Sequence, residues 1–212
     1  MEFVDFRLSN KCNFACRTCE PNFSTRIATE AINNNLSEFY AYTPKSKYIT
    51  RSTTELKNIL PTVKRAMFTG GEPTILQEFY DVLELLPTDI ELQIVTNCSN
   101  VTNKFLDSIS DFNKKHITLS IDAIGDVAQY IRYGTKWSQV KQGIQSILDL
   151  KCSVIINSVI SAYSLPYLDN LVKFVLDNEQ EQYGLYFAIC NNPDFLHPKI
   201  YKDRTDIIDI ID

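Results

Sequence analysis

Leu8-Ser9-Asn10-Lys11-Cys12-Asn13-Phe14-Ala15-Cys16-Arg17-Thr18-Cys19 is the stretch that decides how the rest of this 212-residue chain is read. Its three cysteines, spaced C-x3-C-x2-C, offer three thiolates to one metal centre. A structural zinc site is closed by four ligands, and a cubane iron–sulfur cluster takes one cysteine per iron. Three cysteines in one short loop, with no fourth beside them, leave one iron open to bind something else. Cysteines at i, i+4 and i+7 also share a helix face and can be buried there as small hydrophobes. A buried stripe continues into apolar neighbours at the same period. Here the neighbours are Lys11, Asn13, Arg17, Thr18 and Glu20, so the spacing reads as a ligand loop.

Outward from this loop, short β-rich apolar runs recur at residues 3–8, 65–69, 91–96, 116–121, 153–159 and 184–190. Between them lie segments with helical spacing. Residues 78–86 carry Phe79, Val82, Leu83 and Leu86 on one face; 137–150 carry Val140, Ile144, Ile147 and Leu148; 168–176 carry Leu171, Val172, Val175 and Leu176. A further helix is expected around residues 24–41, and Ser52-Thr53-Thr54-Glu55 is a capping box that opens a short helix before Pro61. No internal repeat beyond this rhythm and no low-complexity tract is present.

Strands alternating with helices predict βαβ units, a parallel sheet and an α/β fold. Six such units predict a partial (β/α)6 barrel of TIM-like kind. Its connections are right-handed, and its functional groups gather at the C-terminal ends of the strands. The cysteine loop follows the first strand, and Gly70, Gly71, Glu72 and Pro73 end the second. Thr96 and Asn97 end the third, Ser120 and Asp122 the fourth, Asn157 falls late in the fifth, and Cys190 ends the sixth. The polar and metal-binding candidates therefore converge on one rim.

Composition bounds the function. Hydrophobic residues make up 44% and charged residues 22%, as in ordinary globular proteins. A net charge of −5 disfavours broad binding to nucleic acid. No early segment has the pattern of a secretory signal, and no apolar run approaches membrane-spanning length. Six cysteines in that setting predict a reducing, cytoplasmic compartment and metal ligation rather than disulfides.

Three blocks in order carry a resemblance. Cys12-Asn13-Phe14-Ala15-Cys16-Arg17-Thr18-Cys19 resembles the cluster loop of the radical S-adenosylmethionine (SAM) superfamily, with its aromatic residue before C-x2-C. Thr69-Gly70-Gly71-Glu72-Pro73 looks like that family's GGEP loop, which holds the amino group of SAM. Ser120-Ile121-Asp122-Ala123, Tyr130-Ile131-Arg132 and Trp137 resemble a block seen in members with SPASM or twitch extensions. The likeness spans roughly residues 3–175.

The resemblance implies a [4Fe–4S] cluster on Cys12, Cys16 and Cys19, with the amino and carboxylate groups of SAM on the fourth iron. Gly70 and Gly71 would let backbone approach SAM, Glu72 would accept from its ammonium, and Pro73 would stiffen the turn. Thr96, Asn97, Ser120, Asp122 and Asn157 are further candidates for SAM contacts, and Arg132 is a candidate bidentate partner for its carboxylate. The implied chemistry is reductive cleavage of SAM to a 5′-deoxyadenosyl radical that abstracts hydrogen from a substrate. The electron would come from an external donor such as flavodoxin or ferredoxin. The third block favours a peptide or protein substrate over a sugar or nucleotide, by analogy alone.

Other readings stay open on sequence. A Gly-Gly pair after a strand is also an ordinary turn, Asp122 is also a helix cap, and Arg132 is also a solvated surface residue. Residues 1–190 read as the radical SAM partial-barrel domain and 191–212 as a short C-terminal tail, truncated or complete. The chain is then a minimal enzyme, or a subunit or activase whose partner chain supplies the C-terminal region. A non-catalytic iron–sulfur or zinc module is the third reading. Cys98 stands where the family often has glycine, and is either a plain replacement or a thiol at the active rim. With no cysteine after Cys190, no auxiliary cluster is expected. His116 and His197 receive no role.

Overall fold

Six strands hydrogen-bond side by side, all parallel and in chain order, in a computed structural model that describes residues 2–36, 56, 59–178 and 183–202. They are β1 (Phe3–Phe6), β3 (Arg65–Phe68), β4 (Glu91–Thr96), β5 (Lys114–Ser120), β7 (Ser153–Ile160) and β8 (Tyr183–Ile189). Parallel neighbours need a crossover, and helices supply it. These are α1 (Thr25–Asn33), α2 (Gln77–Leu83), α3 (Asn103–Ser110), α4 (Gly125–Ile131), α5 (Trp137–Leu148) and α6 (Leu168–Asp177). The sheet stays open, with β1 and β8 at its edges, so the expected α/β partial barrel is what forms. After β8 the described residues hold two 3-10 turns, Asp194–Leu196 and Pro198–Tyr201.

Alternation along the strands sorts side chains between two faces. Ala66 and Phe68 of β3, Leu92 and Ile94 of β4, Ile117 and Leu119 of β5, and Val154 and Ile156 of β7 are buried. They join one core with Phe79, Val82 and Leu83 of α2, Phe105 and Ile109 of α3, and Val140, Ile144 and Ile147 of α5. An aromatic chain runs through it, with Phe6 stacked on Phe68 at 5.0 Å and Phe68 edge-on to Phe79 at 4.9 Å. The alternate set on the other face, such as Val95, Ser120 and Asn157, is free to line a site.

Helix ends follow ordinary capping chemistry. Ser24 caps α1 by accepting from the Ile27 N–H, and Thr102 caps α3 by accepting from the Phe105 N–H. The capping box at 52–55, the far end of the helix expected to residue 41, and residues 203–212 of the tail lie outside the described residues. Leu176 was expected on the apolar face of its helix but is 62% exposed; Phe174 fills that place, edge-on to Trp137 at 5.6 Å. Sequence periodicity did not announce α3, α4 or a two-residue antiparallel ribbon, β2 (Ala15–Cys16) with β6 (Arg132–Tyr133). Among the described residues, no helix is long and apolar enough to cross a membrane.

Candidate active site

The cysteine loop is fixed from three sides. Phe14 is its anchor, fully buried in the core. Ser24 Oγ–H donates to the Phe14 carbonyl at 2.7 Å, and Arg26 Nη1–H to the Asn13 carbonyl at 2.8 Å, so the start of α1 holds the middle of the loop. On the other side the ribbon sets Cys16 opposite Arg132, and the Arg17 N–H donates to the Ile131 carbonyl at 2.9 Å. The Arg17 guanidinium also covers the Tyr130 ring at 4.1 Å.

The Gly-Gly loop docks onto the same segment. The Gly71 N–H donates to the Ser9 carbonyl at 3.0 Å, and the Glu72 N–H to the Lys11 carbonyl at 2.9 Å. Gly70 has φ of +109°, a backbone shape that favours glycine. A Cβ at Gly71 would stand 2.1 Å from the Lys11 carbonyl oxygen, so this close approach requires glycine. More than an ordinary turn is present: two loops far apart in sequence are laced together by backbone, Gly71 to Ser9 and Glu72 to Lys11.

These loops enclose a cavity of about 400 Å³, within the range of ligand pockets. Cys12, Cys16 and Cys19 line it, as do Gly70, Gly71 and Glu72. Thr96, Asn97, Ser120, Arg132 and Asn157 complete the expected polar wall. Pro73 and Asp122 stand behind that wall. Pro73 opens a 3-10 turn, Pro73–Ile75, and Asp122 is buried against Arg132. Sequence reasoning missed Val95 and Val159, which also line the cavity. Strand alternation was the available signal, since Val159 shares a face with Asn157.

All six cysteines are free thiols. Burial pushes Cys12 and Cys19 up to about 12, with a smaller push from neighbouring thiols. Burial raises Cys16 as well, while the Arg132 charge pulls it back. Among the described residues, no three His, Cys, Asp or Glu side chains are placed to hold a single metal ion. The three thiols instead share the walls of one space.

Glu72, besides lining the cavity, is the hub of a buried network. Its carboxylate is 1% exposed and accepts from the Thr74 N–H and hydroxyl, the Thr96 hydroxyl at 2.7 Å and the Asn97 N–H at 2.7 Å. Burial raises its pKa, and these donors act against that rise. Glu72 thus ties the loop after β3 to the loop after β4. Asn97 extends the network, donating from Nδ2 to Asn13 Oδ1 at 3.0 Å, and Asn13 donates to Ser99 Oγ at 2.7 Å.

Arg132 departs from the expected fork toward a ligand. Nη2–H donates to Asp122 Oδ1 at 2.9 Å, and Nε lies 2.8 Å from Asp122 Oδ2, a close charge contact rather than an aligned hydrogen bond. Asp122 Oδ1 also accepts from the Val159 N–H at 2.9 Å, so the carboxylate bridges to β7 and does not cap α4, whose N-cap is Ile124.

The donor set fits a thiolate-held cluster with a polar ligand beside it. One wall atom asks for such a ligand: Asn157 Oδ1 is buried and has no partner among the described residues. Cys98 and Cys190 are buried, do not line the cavity and point to backbone carbonyls of Thr96 and Asn192.

The fold has solved counterparts. Native anSMEcpe with bound AdoMet and Cp18Cys peptide superposes with a TM-score of 0.64 at 19% identity, over 91% of this chain and 51% of that one. Streptococcus suis SuiB bound to precursor peptide SuiA gives 0.60 at 17% identity, over 88% and 39%. In sequence, GTP 3′,8-cyclase of Campylobacter lari is 26% identical over 75% of this chain and 47% of its own length. The radical SAM cyclopropyl synthase TigE of Paramaledivibacter caminithermalis is 26% identical over 94% of this chain and 43% of its own length. This chain therefore spans less than half the length of these two curated relatives. The family model described as the radical SAM superfamily matches residues 6–174, and the chain belongs to that superfamily.

Proposed function

We propose that Cys12, Cys16 and Cys19 hold three irons of a [4Fe–4S] cluster, that SAM takes the fourth, and that the chain is a radical SAM enzyme. The observation that carries this reading is the shared cavity. Three free thiols, the Gly70–Gly71 backbone and the unpartnered Asn157 Oδ1 line a single space. When bound, cluster and SAM supply a one-electron cleavage of the C5′–S bond, giving methionine and a 5′-deoxyadenosyl radical that takes a hydrogen atom from the substrate. The electron comes from an external carrier of the flavodoxin or ferredoxin class.

The protein's own residues bind, orient and shield. Asn157 Oδ1 accepts from the ammonium or a ribose hydroxyl of SAM, and Ser120 and the positive charge of Arg132 face its amino-acid part. Glu72 acts indirectly, fixing the Gly70–Gly71 backbone and the Thr96–Asn97 turn at the distance SAM needs. Val95 and Val159 make the wall apolar where water must be kept from a radical. A peptide or protein is the proposed substrate class. The Ser120–Trp137 block supports it, and two solved counterparts, SuiB and anSMEcpe, are peptide-bound. Six free thiols support a reducing compartment.

Anaerobic reconstitution followed by iron and sulfide analysis tests the cofactor assignment. About four irons per chain are expected, as a single cubane needs. A colourless protein with one zinc would replace this reading with a structural metal module.

A further inference from the structure

Asp122 and Arg132 form a buried pair whose position relative to Cys16 is more specific than the fold requires. Their side chains are 0% and 13% exposed. Arginine is seldom buried unless paired, and a buried ion pair adds little net stability over apolar packing of the same shape. The pair is also directional. Asp122 accepts from Nη2, lies in charge contact with Nε, and is itself held by the Val159 N–H. Nη1 is left over, and it donates to Cys16 Sγ at 3.9 Å. The β2–β6 ribbon sets the two backbones opposite one another, with Cys16 in register with Arg132, so the contact is built into the chain path and not into one flexible rotamer.

Hydrogen bonds to cluster sulfurs, and positive charge near them, stabilise the more negative reduced cluster and raise its potential. In this pair the cationic end faces the thiol and the carboxylate lies on the guanidinium's far edge. The planar guanidinium holds Nη2 on the carboxylate while Nη1 reaches the sulfur, a fixed separation of donors that a lysine ammonium, a compact point charge, does not provide.

We infer that Arg132, aimed by Asp122, donates to the Cys16 sulfur and holds the reduction potential of the cluster above the value it would otherwise take. This inference rests on the cluster assignment proposed above. It gives Arg132 a role that does not require SAM, and Asp122 is its positioning residue.

The test is an EPR-monitored redox titration of the reconstituted protein without SAM, with iron content measured on each sample. Three proteins are compared: the wild type, Arg132→Lys, and the double variant Asp122→Asn with Arg132→Gln. The double variant removes both charges, so no unpaired carboxylate is left buried to unfold the chain. Arg132→Lys keeps the charge and the pairing with Asp122 but loses the fork. Both variants should retain iron, with potentials more negative than the wild type and the double variant furthest shifted. Unchanged or more positive potentials in iron-loaded variants would overturn the inference. If those variants also bound SAM more weakly, Arg132 would be a SAM contact alone. A wild-type protein that takes up no iron would instead remove the cluster assignment itself, and this inference with it.

Discussion

Gly71 lies against the backbone of Lys11, so closely that a Cβ on Gly71 would meet the Lys11 carbonyl oxygen at 2.1 Å and its carbonyl carbon at 2.6 Å. Both obstacles are backbone, so no rotamer change relieves them. Gly71→Ala should push the cysteine loop off the Gly-Gly loop and cost about 3 kcal/mol, the upper end for overpacking. Urea denaturation would show the loss, and iron uptake per chain should fall with it. Full iron content in a stably folded Gly71→Ala protein would mean that the two loops are not tied in the way the contact implies.

Glu72 is the second tie. Replacing it with glutamine turns one acceptor oxygen into an NH₂ group facing groups that already donate. Glu72→Gln should destabilise the protein by about 1–3 kcal/mol, the cost of leaving buried polar groups unsatisfied. Equal stability of variant and wild type would show that the network tolerates an amide.

Cys98 has φ of +61°, a conformation that costs a residue with a Cβ about 1–2 kcal/mol. Its side chain is wholly buried, and burial holds its thiol far above the ordinary range. The thiol-at-the-rim reading therefore gives way to plain packing. Relief of strain in Cys98→Gly should offset most of the lost burial, leaving stability within about 1 kcal/mol of wild type and SAM cleavage intact. Cys98→Val, β-branched at a positive φ, should be clearly destabilised. Loss of SAM cleavage in a well-folded Cys98→Gly protein would return the thiol to the chemistry.

Cluster-free protein should respond to alkaline pH through its ligand thiols. Burial raises Cys12 and Cys19 to about 12 when folded, whereas unfolded cysteine titrates near its ordinary value, about 8.5. The folded state then keeps protons that the unfolded state has lost, so stability falls as pH rises between those two values. Below them both states are protonated and the full contribution is present. Urea midpoints at about pH 7 and about pH 10 should differ for the cluster-free protein, and Cys12→Ala with Cys19→Ala should shrink the difference. A midpoint independent of pH would contradict the burial of these thiols.

The strands were legible because their apolar residues recur at strand spacing in short runs, as in residues 91–96, where Leu92 and Ile94 alternate with Glu91 and Gln93 and the run matches β4 end for end. Helix α5 was legible for the same reason, with Val140, Ile144 and Ile147 at helical spacing. Helix α3 escaped notice because its eight residues bury only Phe105 and Ile109, and its first turn begins Asn103-Lys104. The β2–β6 ribbon is two residues long, too short for any periodicity, yet it aligns Cys16 with Arg132. Likewise, no local pattern could show that Glu72 would turn inward to Thr96, a residue 24 positions away, because that choice is made by packing. The motifs thus marked which residues gather, while the tertiary structure assigned their partners.

The most direct test of the account is SAM cleavage by the anaerobically reconstituted, reduced protein. The account predicts 5′-deoxyadenosine in the iron-loaded wild type. It predicts none in Cys12→Ala, Cys16→Ala or Cys19→Ala, each of which should also lose the cluster. A wild-type protein carrying a full cluster that leaves SAM intact, or cysteine variants that still cleave it, would contradict the assignment of this cavity.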